Sequence, residues 1–338
     1  MNVVFVFLGK KLPQYFIRNI TYFQKTFPNI RLWVVTDENK VLQKLLSSGF
    51  NAYFVGEELK EAFDEMSVRL SHDMSFRSGF WMKTIGRFHA IQDLMIKENL
   101  EKVIHVEGDV LCLPQFPFEK FEKMKQGLAY PLEAPDLGIA SVLFIQNIKA
   151  MNLLIAFTEE EINRDSQTTD MRILGRFAKE YESEVFLLPT FSLEDQVNSI
   201  YSGRSIVQSI IANEGKFQGV FDSVSLGQYL FGVDPKNSRG VVRKFLANKN
   251  HFVNPRKFEF LKSEESIAVV NSSGHLSSLF SLHIHSKELS AFNYPFNLDL
   301  ILENYEESKF GESTTVRMGV MLAQIFKSLT RRASVFKK

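Results

Sequence analysis

The chain has 338 residues, a formal net charge of +1 and 45% apolar residues, and 32 of its residues are Phe. This length and composition fit one large folded domain or two modest ones and argue against extended disorder. The near-zero net charge gives no general attraction to nucleic acid, so no such partner is expected. The single cysteine, Cys112, excludes an intrachain disulfide and fits a reducing compartment.

Strands and helices alternate through the first hundred residues. The apolar pattern predicts strands at 3–9, 31–37, 51–56 and 102–106, and helices at 14–27, 41–49 and 79–100. This alternation predicts βαβ units, and hence an α/β fold with a mostly parallel central sheet flanked by helices. Ligands of such sheets bind at the carboxyl ends of the strands, near a topological switch point.

The second half is less regular, which predicts an elaborated C-terminal half. Its pattern indicates strands at 141–147, 267–271 and 279–285, and helices from 148 to about 160 and at 168–181. No window approaches the 18 apolar residues of a membrane span, and the first apolar stretch is too short for a secretory signal. We therefore expect a cytoplasmic chain.

The fourth predicted strand ends at two carboxylates, Glu107 and Asp109, within VIHVEGDVLCL (103–113). Residues two apart on an extended chain can point to the same side, and Gly108 lets the backbone turn or a ligand approach. Adjacent carboxylates repel unless a cation offsets them, and oxygen ligands favour Mg²⁺ or Mn²⁺ together with substrate phosphates. The pair predicts a divalent-metal site, with a solvated loop as the alternative.

The helix before this strand carries Arg77, Lys83 and Arg87 and no acid within 76–92. Cations near a helix N-terminus oppose the helix dipole, and Lys83 and Arg87, four residues apart, repel each other. Because no local acid compensates them, the pattern predicts an anionic partner such as a diphosphate beside the metal. The alternative is that these side chains reach solvent or pair with acids distant in sequence.

A late segment, LHIHSK (282–287), places His283 and His285 on one side of a predicted strand, with Lys287 shortly after. Alternate residues of a strand share a face, so an imidazole can complete a metal site with the two carboxylates. Lys287 can then meet a phosphate as a point charge. Two ordinary core or surface histidines are the alternative.

Two acidic residues of the second half are candidates for a general base. Asp222 precedes a predicted short helix within 223–232, which it could cap, or it could deprotonate a substrate hydroxyl. Asp195, beside Glu194, is the competing candidate.

The segment 314–338 carries six Lys or Arg residues and no acid, and its apolar residues fall on one helical face. A basic amphipathic helix of this kind can lie on an anionic membrane surface, which would place the chain peripherally on the inner face of the membrane. The alternative is a helix docked on its own domain or on a second subunit, so an oligomer stays open.

Five segments together resemble nucleotide-sugar-dependent glycosyltransferases with the GT-A (Rossmann-like) fold, of the type that builds bacterial surface polysaccharides. In the expected order, they are RSGFWMKTIGRF (77–88), HVEGDVLCL (105–113), LGIASVLFIQN (137–147), FDSVSLGQYLFGVDP (221–235) and LHIHSK (282–287). The resemblance implies a GT-A domain at 1–290, with a nucleotide-binding half at 1–113 and an acceptor-side half at 114–290. An extension at 291–338 follows.

The resemblance also implies roles for particular residues. Asp109 would bind Mn²⁺ or Mg²⁺, Glu107 would bind the metal or the ribose, and His285 or His283 would close the metal site. The family's usual Asp-x-Asp is Glu-x-Asp here, which keeps the charge but lengthens one arm. The implied contacts to the nucleotide sugar come from Asp37 near the base or ribose and from Arg77, Lys83, Arg87 and Lys287.

The implied reaction moves a sugar from a UDP- or GDP-linked donor to a glycan or lipid-linked glycan, while the metal neutralises the leaving diphosphate. If the reaction inverts, a carboxylate must deprotonate the acceptor, with Asp222 favoured over Asp195. A sugar-nucleotide nucleotidyltransferase would want a Gly-rich basic loop after the first strand, where FLGKKLP (7–13) has one Gly. A non-catalytic nucleotide- or sugar-binding protein of the same fold is the further alternative.

Overall fold

The structure is a computed structural model that describes residues 1–72, 76, 79–234, 248–262 and 266–311. Its first half alternates strands and helices, as the sequence predicts, and adds a helix, α3, and a short strand, β5. The elements are β1 (Asn2–Phe7), α1 (Gln14–Thr26), β2 (Arg31–Thr36), α2 (Asn39–Ser47), β3 (Asn51–Phe54), α3 (Glu57–Arg69), α4 (Phe80–Lys97), β4 (Val103–Val106) and β5 (Val110–Cys112).

The second half contains short strands among longer helices. Its elements are α5 (Phe118–Glu122), β6 (Leu128–Tyr130), β7 (Leu132–Ala134), β8 (Leu137–Gly138), β9 (Val142–Ile145), α6 (Ile148–Arg164), α7 (Asp170–Glu180), β10 (Val185–Leu187), α8 (Ser205–Phe217), β11 (Gly219–Phe221), α9 (Ser225–Phe231), β12 (Glu259–Lys262), β13 (Ile267–Val270), β14 (Leu276–His283) and α10 (Asp299–Gly311).

A seven-stranded central sheet has the order β10-β6-β9-β4-β1-β2-β3. Only β9 runs antiparallel to its neighbours, and the other described pairings of this sheet are parallel. The prediction of an α/β fold with a mostly parallel central sheet is therefore confirmed. Because β1 lies between β2 and β4, the strand order reverses at β1, and the carboxyl ends of these strands form the switch point at which ligands bind.

A second sheet has the order β11-β14-β13-β12, and β5 also pairs with β14. Since β5 follows β4 after a short turn, it carries the chain directly from the central sheet to the second one. A separate two-stranded sheet joins β7 and β8. The elaborated second half that the sequence predicts is thus a second sheet attached at the end of β4.

The core explains why the central strands read as continuous apolar runs. Val4 belongs to one buried cluster, whereas Val3 and Phe5 belong to another on the opposite face of the sheet. A strand that is buried on both faces needs apolar side chains at every position.

Many of the phenylalanines pack against one another between the two halves. The Phe121 ring lies 5.6 Å from Phe144 of β9, 5.4 Å from Phe217 of α8 and 5.9 Å from Phe221 of β11, measured between ring centroids. Contacts of this kind stabilise by about 0.5–1.5 kcal/mol each beyond the buried area. The aromatic contacts therefore hold the second sheet against the central one.

The C-terminal part of the described chain is packed rather than extended. α10 lies against α9, where the Ser308 hydroxyl donates a hydrogen bond of 2.9 Å to the Tyr229 carbonyl oxygen. The basic segment 314–338 and Arg77 lie outside the described residues. Within the part of the chain that the structure describes, no helix combines the length and apolarity needed to cross a bilayer.

Candidate functional site

The turn between β4 and β5 presents the two predicted carboxylates at the switch point. The Val110 N–H donates to the Glu107 carbonyl oxygen at 2.9 Å and closes the turn. The Asn19 side-chain amide of α1 donates to the carbonyl oxygens of Gly108 and Val110 at 3.1 and 2.8 Å. A Cβ at Gly108 would lie 2.3 Å from the Phe16 ring, so only glycine allows the turn to sit this close to α1.

Pairing between β5 and β14 brings a histidine to this turn from the far end of the chain. The strands run antiparallel, with His283 opposite Val110. Just beyond the pair, the Ile284 N–H donates to the Asp109 carbonyl oxygen at 2.8 Å. The register of this strand pair therefore fixes which late residue faces the carboxylates.

The hydrogen bonds of His283 define which ring nitrogen faces the acidic turn. Its Nδ1 lies 2.8 Å from the Ser223 carbonyl oxygen. Because a carbonyl oxygen can only accept, Nδ1 carries a proton. The other nitrogen, Nε2, lies 3.4 Å from Asp109 Oδ1 and 3.6 Å from Glu107 Oε2. Burial opposes a charge on the buried ring, but the Asp109 and Glu107 carboxylates outweigh it and raise the pKa of His283 to about 9.

These three side chains fit a divalent cation. One ligand atom from each of Glu107, Asp109 and His283 lies within 4.8 Å of the other two. Two carboxylates and an imidazole suit Mn²⁺ or Mg²⁺, and histidine ligands of metals characteristically donate their second ring N–H to a carbonyl or carboxylate oxygen. The donor set and the orientation of His283 both match a metal site.

His285 lies close to this group but is oriented by different contacts. β14 ends at His283, and the His285 N–H donates to the His283 carbonyl oxygen at 2.9 Å, so the two residues do not alternate along one strand. Their ring centroids are 4.7 Å apart. Burial, reinforced by the charge of His283, lowers the pKa of His285 to about 3, which keeps this ring neutral. The structure thus places His283, rather than His285, within reach of both carboxylates.

Arg87 on α4 has anionic partners inside the protein. Its Nη1 donates to Glu107 Oε1 and its Nη2 donates to Asp170 Oδ2 at the start of α7. Burial would raise the pKa of Glu107, but Arg87 and then His283 outweigh it and hold that pKa below its usual value. Acids distant in sequence therefore pair with Arg87, which is the alternative that the sequence left open, and a contact between Arg87 and a nucleotide stays a prediction. Arg87 thereby orients Glu107 so that Oε2 faces His283.

Lys287 occupies the other side of Asp109. Its Nζ donates to Asp109 Oδ2 at 2.6 Å and lies 3.5 Å from Asp234 Oδ2. Burial opposes the lysine charge, but Asp109 outweighs it, so the pKa of Lys287 is raised. Burial also opposes the charge of Asp109, whose pKa Lys287 and His283 nevertheless hold well below its usual value. We call Glu107, Asp109, His283 and Lys287 the acidic corner.

A second group of polar residues follows the neighbouring strands β1 and β2. The Gly9 N–H donates to Asp37 Oδ1 at 2.7 Å. The Lys83 Nζ lies 3.7 Å from the point that a Cβ on Gly9 would occupy. Burial raises the pKa of Asp37, with the Gly9 hydrogen bond and the Lys83 charge acting against it. We call Gly9, Asp37 and Lys83 the β1–β2 edge.

The two candidate bases have different surroundings. The Asp222 carboxylate is buried and accepts hydrogen bonds from the N–H groups of Leu226 (2.9 Å), Gly227 (2.7 Å) and His283 (2.9 Å). Burial raises the pKa of Asp222 to about 6. These contacts let it cap α9 and hold His283 in place. Asp195 is exposed and accepts a hydrogen bond from the Ser272 hydroxyl. A role for either residue as a base stays a prediction.

Two contributors to the acidic corner were not predicted from the sequence. Asp170 follows the N-cap Thr169 of α7, so its sequence context indicates only a helix start. Ser223 contributes a backbone carbonyl oxygen, for which the residue type carries no signal. Asp234 is buried beside Lys287.

Comparisons with known proteins find distant likenesses only. No family model matches the chain, and no curated protein sequence matches it. The galactosyltransferase LgtC, solved with donor and acceptor sugar analogues, is 16% identical with a TM-score of 0.40, over 56% of this chain and 73% of that one. Mouse xyloside xylosyltransferase 1 is 11% identical with a TM-score of 0.38, over 62% and 94% of the two chains.

A CMP:2-keto-3-deoxy-manno-octonic acid synthetase, solved with CTP, is 9% identical with a TM-score of 0.32, over 54% of this chain and 86% of that one. At these TM-scores the likenesses establish neither a family nor a reaction for this chain. What the chain can do has to be inferred from the geometry of its own site.

Proposed function

We propose that this chain is a metal-dependent glycosyltransferase with a GT-A fold, which moves a sugar from a nucleoside-diphosphate sugar to a glycan or lipid-linked acceptor. The observation that carries the proposal is the convergence of Glu107, Asp109 and His283 at the carboxyl end of β4, with ligand atoms within 4.8 Å of one another. A cation site at a switch point, with a lysine beside it, has the composition that binding a diphosphate requires.

The acidic corner would hold Mn²⁺ or Mg²⁺ through Asp109, Glu107 and the Nε2 of His283. When bound, the cation supplies positive charge to the leaving diphosphate. Lys287 contributes a second positive charge next to Asp109, at 2.6 Å. Because Arg87 is committed to Glu107 and Asp170, we assign it to positioning Glu107 rather than to the phosphates.

The β1–β2 edge would receive the nucleoside. The Gly9 N–H holds the Asp37 carboxylate at this edge, where it would accept a hydrogen bond from a ribose hydroxyl or a base. Lys83, whose Nζ lies near Gly9, adds a positive charge to this edge that would meet a phosphate of the nucleotide. Acceptor deprotonation by Asp222 or Asp195 remains part of the proposal for an inverting reaction.

The proposal is tested by calorimetric titration of UDP and GDP with and without Mn²⁺. Binding should require the cation, and Asp109→Asn should reduce it by more than the about 10–100-fold that loss of an outer partner of a metal ligand typically costs. Asp299→Asn is the matched control, because Asp299 pairs with Lys262 at 2.7 Å on the exposed surface. Cation-independent binding in the unaltered chain would contradict the proposal.

Product analysis separates the glycosyltransferase from the nucleotidyltransferase alternative. Incubation with nucleotide sugars and Mn²⁺ should release a nucleoside diphosphate and a free or transferred sugar. A nucleotidyltransferase would instead join a nucleoside triphosphate to a sugar phosphate and release pyrophosphate. A chain that binds nucleotides and releases neither product would be a binding protein of the same fold.

A lipid-linked acceptor at the inner membrane surface, in polysaccharide synthesis, is the finer part of the proposal. It is supported by the basic amphipathic pattern of 314–338, a segment outside the described residues. Vesicles that contain anionic lipid should bind the full chain and should not bind a chain from which 314–338 has been deleted. Equal binding of both chains would remove the membrane from the proposal.

A further inference from the structure

A second buried polar cluster lies directly behind His283. Its centre is Glu133 of β7, whose side chain is 2% exposed. Its carboxylate accepts hydrogen bonds from the Ser223 hydroxyl and from the Ser225 hydroxyl at 2.5 Å, and the His251 Nδ1 lies 2.5 Å from its Oε1. A buried carboxylate is costly unless polar partners satisfy it, and here three side chains from two segments of the chain face the Glu133 carboxylate.

Ser223 joins this cluster to the acidic corner. Its hydroxyl donates to Glu133 Oε2, while its carbonyl oxygen accepts the Nδ1–H of His283 at 2.8 Å. The backbone of Ser223 is therefore held on one side by a buried charge and holds the predicted metal ligand on the other. Ser225 touches the same carboxylate, but its hydrogen bonds do not reach His283.

Hydrogen bonds to neighbouring segments also hold the backbone around His251 in place. The Phe252 N–H donates to the Glu133 carbonyl oxygen at 2.6 Å, and the Asn198 side-chain amide donates to the His251 carbonyl oxygen at 2.8 Å. The Nε2 of His251 lies 2.7 Å from the side-chain nitrogen of Asn248. Because an amide nitrogen can only donate, Nε2 accepts from it, and Nδ1, which faces Glu133, carries the ring proton.

We propose that Glu133, held by His251, is a positioning residue for the metal site: through Ser223 it fixes the ring orientation and the Nδ1–H tautomer of His283. This inference rests on the proposed function, because it assigns His283 as a metal ligand. Outer partners of a metal-binding histidine set its tautomer and orientation, and their loss typically costs 10–100-fold in metal affinity. Here the outer partner is a carbonyl oxygen, and Glu133 is the group that holds it.

The chain contains a matched control for this arrangement. Glu214 of α8 is also buried and accepts a hydrogen bond of 2.7 Å from the Ser277 hydroxyl, with His275 Nε2 at 3.5 Å. Glu214 and Ser277 thus reproduce the Glu–Ser–His composition of the Glu133 cluster. Their hydrogen bonds do not lead to the acidic corner. Ser277→Ala, like Ser223→Ala, removes one hydroxyl hydrogen bond to a buried carboxylate.

The test measures the dissociation constant of Mn²⁺ from the free-Mn²⁺ electron paramagnetic resonance signal, and the melting temperature of each metal-free variant. Glu133→Gln should weaken Mn²⁺ binding about 10–100-fold, and Ser223→Ala should weaken it about tenfold. Ser277→Ala should lower the melting temperature about as much as Ser223→Ala does. Both Ser277→Ala and Glu214→Gln should leave the Mn²⁺ dissociation constant unchanged. Ser223→Ala keeps the carboxylate, so it remains informative if Glu133→Gln does not fold.

The outcomes separate this inference from the proposed function. If the unaltered chain binds Mn²⁺ no better than Asp109→Asn, the metal site and the positioning role both fail. If the unaltered chain binds Mn²⁺, and Glu133→Gln and Ser223→Ala bind it equally well, only the positioning role of Glu133 is overturned. Equal weakening by the Glu214 and Ser277 variants would likewise overturn it, because the effect would then be general destabilisation.

Discussion

The β1–β2 edge and the acidic corner lie at the ends of neighbouring strands but are built differently. The edge comes from segments that follow adjacent parallel strands and from the helix behind them, and its described hydrogen bond is that from Gly9 to Asp37. In the corner, each side chain contacts a buried partner from a distant part of the chain. The contrast indicates an adaptable edge beside a rigid, preorganised corner, which is the arrangement that a fixed cation and a variable nucleoside would need.

The largest expected effect on stability comes from Arg87→Met, which removes the partner of Glu107 in the acidic corner. This change leaves Glu107 and Asp170 as buried carboxylates without their cation, so the free energy of unfolding should fall by about 3–5 kcal/mol. Urea denaturation measures it. Arg69→Met is the control, because Arg69 pairs with Glu159 at a partly exposed position, where about 0–1 kcal/mol is expected. Equal losses in the two variants would contradict a rigid corner.

The next largest effect on stability is expected from replacing two glycines by alanine. A Cβ at Gly227 would lie 2.0 Å from the His283 carbonyl oxygen, so Gly227→Ala should displace His283 and cost about 1–3 kcal/mol. A Cβ at Gly215 of α8 meets nothing within 4 Å, so Gly215→Ala should stabilise by about 0.4–1 kcal/mol. Thermal unfolding and Mn²⁺ titration of both variants check this. Normal Mn²⁺ affinity in Gly227→Ala would show that the corner tolerates displacement of His283.

A smaller effect is expected from a change in the β1–β2 edge, which should alter nucleotide binding and leave cation binding in the acidic corner unchanged. Asp37→Ala removes the acceptor of the Gly9 N–H and should weaken nucleoside-diphosphate binding about tenfold, or about 1.4 kcal/mol, without changing the Mn²⁺ affinity. Calorimetry with the cation and nucleotide added separately measures both constants. Asp64→Ala, an exposed position on α3, is the control. Loss of Mn²⁺ binding in Asp37→Ala would mean that the edge and the corner are one coupled unit.

The smallest effect concerns α4, the helix behind both regions. Burial, opposed by Glu159, lowers the pKa of His89 below its usual value of 6.5. The unfolded chain therefore takes up a proton below about pH 6.5 that the folded chain refuses, and stability falls as the pH drops. His89→Gln should flatten this fall by less than about 1.4 kcal/mol per pH unit, as followed by urea denaturation between pH 7 and pH 5. An unchanged slope would show that His89 is protonated in the fold.

The sequence predicted the edge better than the corner for a physical reason. Apolar runs separated by helical periods locate β1, β2 and β4, and the ends of parallel strands must meet at one side of the sheet. The edge residues that follow β1 and β2, Gly9 and Asp37, are therefore placed by local pattern. The missed helix α3 also had such a pattern, because Leu59, Phe63 and Met66 recur at helical spacing.

The corner depends on contacts that local pattern does not encode. The carboxylates and the histidine pair were predicted as residue types, but the choice of His283 over His285 follows from where β14 ends and from its pairing with β5. That register is set by packing between two sheets. The Ser223 carbonyl oxygen and the buried partners Asp170 and Glu133 are likewise visible only in three dimensions, since a backbone acceptor or a buried acid has no distinctive sequence signature.

The pairing of β5 with β14 also constrains when the acidic corner can form. Val110 and its partner His283 are separated by about half of the chain. The acidic corner therefore depends on contacts between residues remote in sequence, which are the slowest class of contacts to form. During synthesis, the turn at Glu107–Asp109 leaves the ribosome long before its imidazole is made. Until β14 emerges, a nascent chain therefore lacks both the imidazole of His283 and the Lys287 charge beside Asp109, and its ability to capture a cation should appear only with the final stage of folding.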